Sequence, residues 1–340
     1  MLNKPAPNAT GQDAAWPPAN GRTLIVTCMK DEGPFIVEWV AWHIAAGVTD
    51  FVVFTNDCSD GTDRILDRLD DLGVVTHLPN PALASESTYF QPAALSYAPY
   101  LRNWREADFV ISMDVDEFIN VRVGQGRLAD LFAAAGPFDV LSMTELNHGS
   151  NQKEHFTPGW VIDQFPAHQT EQPGKWKAQR GVKSIVRLGD QVRQVRNHRP
   201  DMTEHARWLD GSARPLPLLA EDRTANGIDC RGTYELVSLD HFPLRSLDSY
   251  LVKMFRGDVV VSGKQVSQRY WRTRNQHDST GSRFDRLRPE AERVHEDLMG
   301  DDALDGLHAE ACEAHAARIR HLTSDPHFAE RRDWVLANAW

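Results

Sequence analysis

The sequence is short of the features that define several large classes of protein. Of its 340 residues only four are cysteine, Cys28, Cys58, Cys230 and Cys312. Their scatter has neither CxxC spacing nor the density of a disulfide scaffold, so a reducing compartment is expected. No apolar run approaches the roughly 18–20 residues that span a bilayer, and the opening MLNKPAPNATGQDAAWPPANG lacks the apolar core of a signal peptide. The expected location is the cytoplasm, with peripheral contact at the inner face of a membrane left open. An excess of positive charge is missing too: the formal net charge is −11, which argues against a general nucleic-acid binder. There is no internal repeat.

What is present is an ordinary globular composition, 41% hydrophobic, enough for one catalytic domain with an appendage. Residues 1–21 are rich in Pro, Ala and Asn without a period and are expected to form a flexible leader. From Leu24 the pattern alternates. Short apolar runs at Leu24–Cys28, Phe51–Thr55, Val74–Leu78 and Phe109–Met113 read as strands; amphipathic stretches at Phe35–Ala46, Thr62–Asp71 and Ala93–Glu106 read as helices. Such alternation predicts an α/β fold with a mostly parallel sheet covered by helices on both faces. In such sheets ligands gather at the carboxyl ends of the strands. The polar segments Lys30–Gly33, Asn56–Gly61 and Asp114–Glu117 each follow a strand and are expected to line one edge. Asp139–Met143 and Gly181–Arg187 read as further strands, 146–182 and 200–230 as long loops, and the chain beyond Leu247 as mostly helical. The expected division is a domain over 22–245 and a helical extension over 246–340.

Asp114-Val115-Asp116 is the sharpest chemical signal. Alternate residues of an extended segment can turn two carboxylates towards one cation, and oxygen donors suit Mg²⁺ or Mn²⁺, which neutralise charge on a departing diphosphate. In the loop after the second strand, Asn56 and Asp57 offer oxygens to a base or ribose, while Ser59 or Asp60 can cap the next helix. Basic residues gather between Lys175 and Arg199 and between Lys253 and Arg274, which suggests anion contacts. Lys183, Arg187, Lys253 and Arg256 are candidates for neutralising a diphosphate. His43 shares the apolar face of the first helix with Ile36, Trp39 and Val40 and is expected to be a hydrogen-bonded core residue.

These residues together resemble a known family. Cys28-Met-Lys-Asp-Glu-Gly-Pro-Phe-Ile-Val-Glu-Trp-Val-Ala-Trp-His43, the loop Asn56-Asp-Cys-Ser-Asp-Gly-Thr62 and Met113-Asp-Val-Asp-Glu-Phe118 resemble the branch of glycosyltransferase family 2 with an "NE…EW…H…G" opening and a "DvDEF" metal motif. A weaker likeness runs through Val182–Arg187, Asn197-His198, His241–Ser246 and Lys253–Gly257, so that it covers roughly residues 23–275. The resemblance implies a GT-A fold, a nucleotide-diphosphate sugar donor, here expected to be UDP-linked, and a divalent cation, Mn²⁺ or Mg²⁺. It puts Asp114 and Asp116 at the metal and Thr27, Lys30, Glu32, Asn56 and Asp57 among the nucleotide-side residues. His241 is the expected third metal ligand, with His198 its rival. Inversion follows from the resemblance alone; it requires a carboxylate base for the acceptor hydroxyl, with Glu145 and Asp163 the candidates. The acceptor is expected to be a glycan or glycolipid. Departures occur at Thr55-Asn56, where relatives carry paired acids, and at Asn147-His148, where they carry an aromatic before Gly-Ser. Two other readings compete. A sugar nucleotidyltransferase would need a Gly-rich phosphate loop that Lys30–Pro34 lacks, and a binding protein that kept the fold and lost turnover would bind donor without consuming it.

Overall fold

The computed structural model describes residues 16–17, 21–85, 87–172, 181–216, 232–256, 268–281 and 283–338. Most of the expected leader and Cys230 lie outside these residues. Trp16 lies within them, packed edge-on against Phe109, Phe132 and Phe138.

The elements are, in chain order, β1 (Thr23–Met29), α1 (Ile36–Ala46), β2 (Asp50–Thr55), α2 (Thr62–Asp71), β3 (Thr76–Pro79), α3 (Phe90–Tyr97), β4 (Phe109–Ser112), β5 (Glu117–Val121), α4 (Leu128–Ala135), β6 (Val140–Asn147), β7 (Val182–Arg187), β8 (Trp208–Asp210) and β9 (Val237–His241). They are followed by α5 (Leu247–Arg256), α6 (Gln268–Arg274), α7 (Arg288–Met299), α8 (Asp302–Thr323) and α9 (Pro326–Asn338). Nine strands form the main sheet in the order β3-β2-β1-β4-β7-β6-β9-β5, with β8 joined to β6. Pairing is parallel from β3 to β4 and where β6 meets β8 and β9. It is antiparallel on both sides of β7 and between β9 and β5. The expected mostly parallel sheet flanked by helices is therefore present. Its directions have one consequence for function: β1, β2, β4, β6 and β9 all end at the same edge, and β5 and β7 begin there.

Each face has its own core. Ile36, Trp39 and Val40 of α1 and Ile65, Leu66 and Leu69 of α2 cover Ile25, Val53 and Ile111 on one side. Ala94 and Leu95 of α3 cover Leu24, Val26 and Val110 on the other. The C-terminal helices share in this packing. Ala291 and Val294 of α7 join the first core, and a Cβ added at Gly33 would come within 2.6 Å of the Ala311 Cβ on α8. Arg68 of α2 binds Asp301 at 3.0 and 2.6 Å, and Asp301 caps α8 through the Leu304 N–H.

Helix α1 does more than fill space. Strand β5 ends the sheet order, so its outer backbone groups have no neighbouring strand. The Trp39 indole N–H donates to the Glu117 carbonyl at 2.9 Å, and the Trp42 indole N–H to the Ile119 carbonyl at 2.8 Å. The Ile119 N–H donates to His43 Nε2 at 3.3 Å. Because Nε2 accepts, Nδ1 must carry the proton, which it gives to the Trp39 carbonyl at 2.8 Å. Burial pushes this imidazole down to about 3, so it stays neutral, and the expected core role of His43 holds. From the same helix the buried Glu38 carboxylate accepts from Val161 and Ile162 N–H at 2.7 and 3.2 Å.

Several expectations shift in detail. Ala93–Glu106 is not one helix: α3 stops at Tyr97, a single 3₁₀ turn covers Ala98–Tyr100, and a short helix follows at Arg102–Glu106. Pro99 has no N–H to continue the ladder, which explains the break. Strand β6 runs on to Asn147, past the expected end at Met143. Strands β5 and β9 were not anticipated, because each carries charged residues within its apolar alternation.

Two outcomes are expected. Trp42→Phe leaves a buried carbonyl without its donor and lowers unfolding free energy by about 1–3 kcal/mol in urea titrations; an unchanged midpoint would show that α1 does not anchor β5. Burial pushes Glu38 up to about 7, with the Val161 and Ile162 N–H groups opposing. A carboxyl whose folded pKa lies above its unfolded value binds more protons when folded, so its contribution to stability declines as pH rises from about 4.5 to about 7. Thermal melts of Glu38→Gln should show a flatter pH dependence across that window than the native chain; parallel curves would contradict the assignment.

Candidate active site

Asp114 leaves the end of β4, and Glu117 opens β5, so the intervening chain turns within the shared edge. Lys183, near the start of β7, registers with Met143 of β6 and arrives from the opposite direction with no solvent exposure. Its Nζ lies 3.0 Å from Asp114 Oδ2 and 3.4 Å from Glu117 Oε2, and it also donates to Asn197 Oδ1. The second Asp114 oxygen accepts from Gln91 Nε2 at 3.2 Å. Burial pushes Glu117 up to about 8, against the pull of Lys183. Burial would lower Lys183, but Asp114 and Glu117 raise it instead.

Asp116 is almost fully buried. Lys253 from α5 reaches its Oδ2 at 2.7 Å, and His241 Nε2, at the end of β9, lies 3.7 Å from its Oδ1. Burial favours the neutral carboxyl, yet Lys253 and His241 hold Asp116 well below the usual range. Burial alone would lower His241; Asp116 and Glu145 raise it to about 10. Glu145, on β6, pairs with Arg274 of α6 at 2.7 Å and stands 3.7 Å from His241 Nδ1. Despite burial, Arg274 and His241 keep this carboxylate far below its ordinary value.

Asn147 sets the histidine. Its Oδ1 receives Arg274 at 2.6 Å and so is identified as the oxygen, which makes His241 Nδ1, 3.1 Å away, a donor and leaves Nε2 as the nitrogen that would give up its proton to a cation. Nε2 is thereby aimed at Asp116. The residues fit a divalent cation at this pair: two bonds of about 2.1–2.2 Å can span the 3.7 Å between Asp116 Oδ1 and His241 Nε2. An outer hydrogen bond that fixes the tautomer is the usual companion of a metal-binding imidazole. Asp114 fits less directly, since both of its oxygens are already engaged. Glu117, Glu145 and His241 also offer three buried donor atoms within 4.8 Å of one another; Lys183 and Arg274 hold these two carboxylates as Lys253 holds Asp116.

On the nucleotide side, Glu32 is buried between Arg245 Nη1 at 2.8 Å and Arg256. Arg256 also bonds the Lys30 and Asp31 carbonyls. Lys30 lies 3.8 Å from the exposed Asp57 carboxylate, which the Asn56 amide reaches at 3.1 Å. Thr27 is buried in β1, and its hydroxyl has no hydrogen-bond partner among the described residues. Asp60 joins two loops, accepting from Thr62 N–H and Gly33 N–H, each at 2.9 Å.

Of the sequence-derived candidates, the structure brings Lys30, Glu32, Asp114, Asp116, Glu145, Lys183, His241, Lys253 and Arg256 to one edge. Asp163 is elsewhere, in a bidentate pair with Arg288 at 2.6 and 2.9 Å, more than half exposed, and Arg187 lies at the opposite edge, beside Phe109 at the start of β4 and 5.5 Å over the Trp16 ring. His198 directs its hydrogen bonds to the Val182 carbonyl and Asn197, not to Asp116. Sequence reasoning placed Glu117 at the edge and Arg274 in a basic cluster without giving either a role, and it assigned none to Asn147, Arg245, Gln91 or Asn197. A role for Glu117 could have been found from the acidic run itself; the others come from segments whose spacing says nothing about the edge to which they return.

The sequence model described as glycosyltransferase family 92 matches residues 25–210, over half of the chain. A glycosyltransferase family 92 protein of Oryza sativa subsp. japonica is 26% identical over 97 residues, a match covering 28% of this chain and 16% of that relative's length. Among solved structures, S. aureus TarS is 14% identical with a TM-score of 0.27, over 49% of this chain and 28% of that one. TarS residues 1–349 are 11% identical with a TM-score of 0.28, over 89% and 91%. Likeness at those scores carries no argument; the fold stands on the strand order above.

Replacing Lys183 with Met would leave the buried Glu117 and the half-buried Asp114 without the cation they share. Lys183→Met should cost about 3–5 kcal/mol in denaturant titrations, and a loss below about 1 kcal/mol would show that the acids do not depend on it.

Proposed function

This chain belongs to glycosyltransferase family 92, and on that footing we propose that it moves a sugar from a nucleotide-diphosphate donor, UDP-linked, to a hydroxyl of a glycan or glycolipid. The observation that carries the reading is the pair Asp116 and His241, aimed at each other across 3.7 Å, with Lys253 on the other Asp116 oxygen. The family match is to family 92, while the likeness to family 2 rests on motifs alone. Both are glycosyltransferase families, so the reaction class does not turn on the choice.

In this reading Asp116 and His241 hold Mn²⁺ or Mg²⁺, with Asp114 facing the nucleotide. The cation, when bound, offsets negative charge on the departing diphosphate. Lys183, Lys253 and Arg256 add fixed positive charge near that group. Thr27, Lys30, Glu32, Asn56 and Asp57 form the nucleotide side. An inverting displacement needs a carboxylate beside the acceptor hydroxyl. Glu145 is the candidate at the edge, ionised at any working pH, and it must exchange Arg274 for the acceptor to take a proton. No helix among the described residues is long and apolar enough to cross a membrane; a cytoplasmic setting, with peripheral membrane contact for a lipid-borne acceptor, is part of the same proposal.

Asp116→Ala should lower turnover of a UDP-sugar by about 10²–10³-fold or more while circular dichroism stays native. A variant that keeps the wild-type rate would remove the metal assignment.

A further inference from the structure

Asn147 and His148 follow one another at the end of β6, beside the end of β9. Neighbouring residues of an extended segment point to opposite faces. Asn147 shares a face with His241 and accepts from its Nδ1 at 3.1 Å. His148 lies on the other face, where the chain presents Asp240 and Phe242, the residues on either side of His241. Its Nε2 stands 2.8 Å from Asp240 Oδ1. Its ring lies on the Phe242 ring, with 4.1 Å between centres and 26° between planes. Between these two contacts, the His148 backbone N–H donates to the His241 carbonyl at 2.8 Å.

The His148 ring is itself held. Its Nδ1 lies 2.7 Å from the Phe165 carbonyl oxygen, so both nitrogens are engaged, and only 1% of the residue is exposed. Asp240, fully buried, also accepts from the Arg283 guanidinium at 2.8 Å and the Ser238 hydroxyl at 2.6 Å. A close-packed interior transmits such constraints from one side chain to the next. Strand β9 ends at His241, where a small backbone rotation would swing the imidazole away from both Asn147 and Asp116.

We infer that His148 is a positioning residue for His241. By holding Asp240 and Phe242 from the face opposite the imidazole, it fixes the backbone from which Nδ1 meets Asn147 and Nε2 faces Asp116. Asn147 and His148 thus grip one strand end from both faces, Asn147 on the ring and His148 on its flanks. The consequence for a bound cation rests on the proposed function; the consequence for the ring does not.

Proton–nitrogen NMR of the metal-free chain with isotopically labelled histidine reads the His241 Nδ1–H signal, assigned by its loss in His241→Gln. Three variants separate the His148 contacts. His148→Gln keeps an amide donor where Nε2 stood, His148→Asn keeps one where Nδ1 stood, and His148→Phe keeps the stacked ring alone. The inference predicts that the signal persists in His148→Gln and is lost to solvent exchange in His148→Asn and His148→Phe, each with native circular dichroism. Mn²⁺ binding, followed by the paramagnetic resonance of the free ion, should weaken by about 10-fold or more in the same two variants and by less than about threefold in His148→Gln. A wild-type signal in His148→Phe overturns the inference. Equal loss in all three variants also overturns it, because that is the mark of a residue that only fills space. If the signals follow the prediction but Asp116→Ala binds Mn²⁺ as tightly as wild type, the cation reading fails and the positioning role stands. If Asp116→Ala loses Mn²⁺ while the signals do not follow the prediction, the positioning role fails and the cation reading stands.

Discussion

Strand β5 has a partner on one side only, and the backbone on its other side is satisfied by side chains of α1. Unpaired N–H and C=O groups in a dry interior are costly, so an edge strand at this depth needs substitutes for a neighbouring strand. Trp39, Trp42 and His43 supply them in sequence, two donors and one acceptor, at the carbonyls of Glu117 and Ile119 and the amide of Ile119. The neutral state of His43 matters here, because a protonated imidazole could not accept from Ile119. Glu-Trp-Val-Ala-Trp-His and Asp-Val-Asp-Glu-Phe are thus two halves of one arrangement: the helix reads the backbone of the strand that the acids introduce. Asp116 takes its position from that strand and from the residue just after β9, Phe242, whose amide donates to the Asp116 carbonyl at 2.7 Å.

Around that anchored turn the chain concentrates buried charge. Asp114, Asp116, Glu117, Glu145 and Glu32 face Lys183, Lys253, Arg245, Arg256 and Arg274, with His241 between two of the acids. Pairs of this kind seldom stabilise a fold over apolar packing of equal volume. Their concentration at the one edge where the parallel strands end is better understood as a site whose internal pairs can be exchanged for a ligand's charges. A cation beside Asp116, a diphosphate beside Lys253 and the arginines, and an acceptor beside Glu145 would each replace an existing partner, which is how the proposed reaction uses the network.

The sequence carried the first half of the fold well. Strands β1, β2 and β4 declared themselves by apolar runs, and because parallel strands share a carboxyl edge, the gathering of Lys30, Asn56 and Asp114 could be foreseen. His43 could be assigned to the core from its helical face. The second half was harder. Strand β5 begins inside a run of acids, β7 enters the sheet antiparallel, and α5 and α6 return Lys253 and Arg274 across more than a hundred residues. Periodicity reports local structure and is silent on such returns. Asp163 looked equivalent to Glu145 by type and by position after the acidic motif; only the third dimension separates a carboxylate at the end of β6 from one bound to Arg288 on the outside.

The central claim is that Asp116 and His241 together hold a divalent ion against a donor diphosphate. A crystal structure of the chain with UDP and Mn²⁺, read by anomalous scattering at the manganese edge, tests it most directly. The account predicts one strong peak bonded to Asp116, His241 Nε2 and diphosphate oxygens, with Lys253 displaced from Asp116. UDP bound with no manganese at that pair, and with Lys253 still on Asp116, would contradict it.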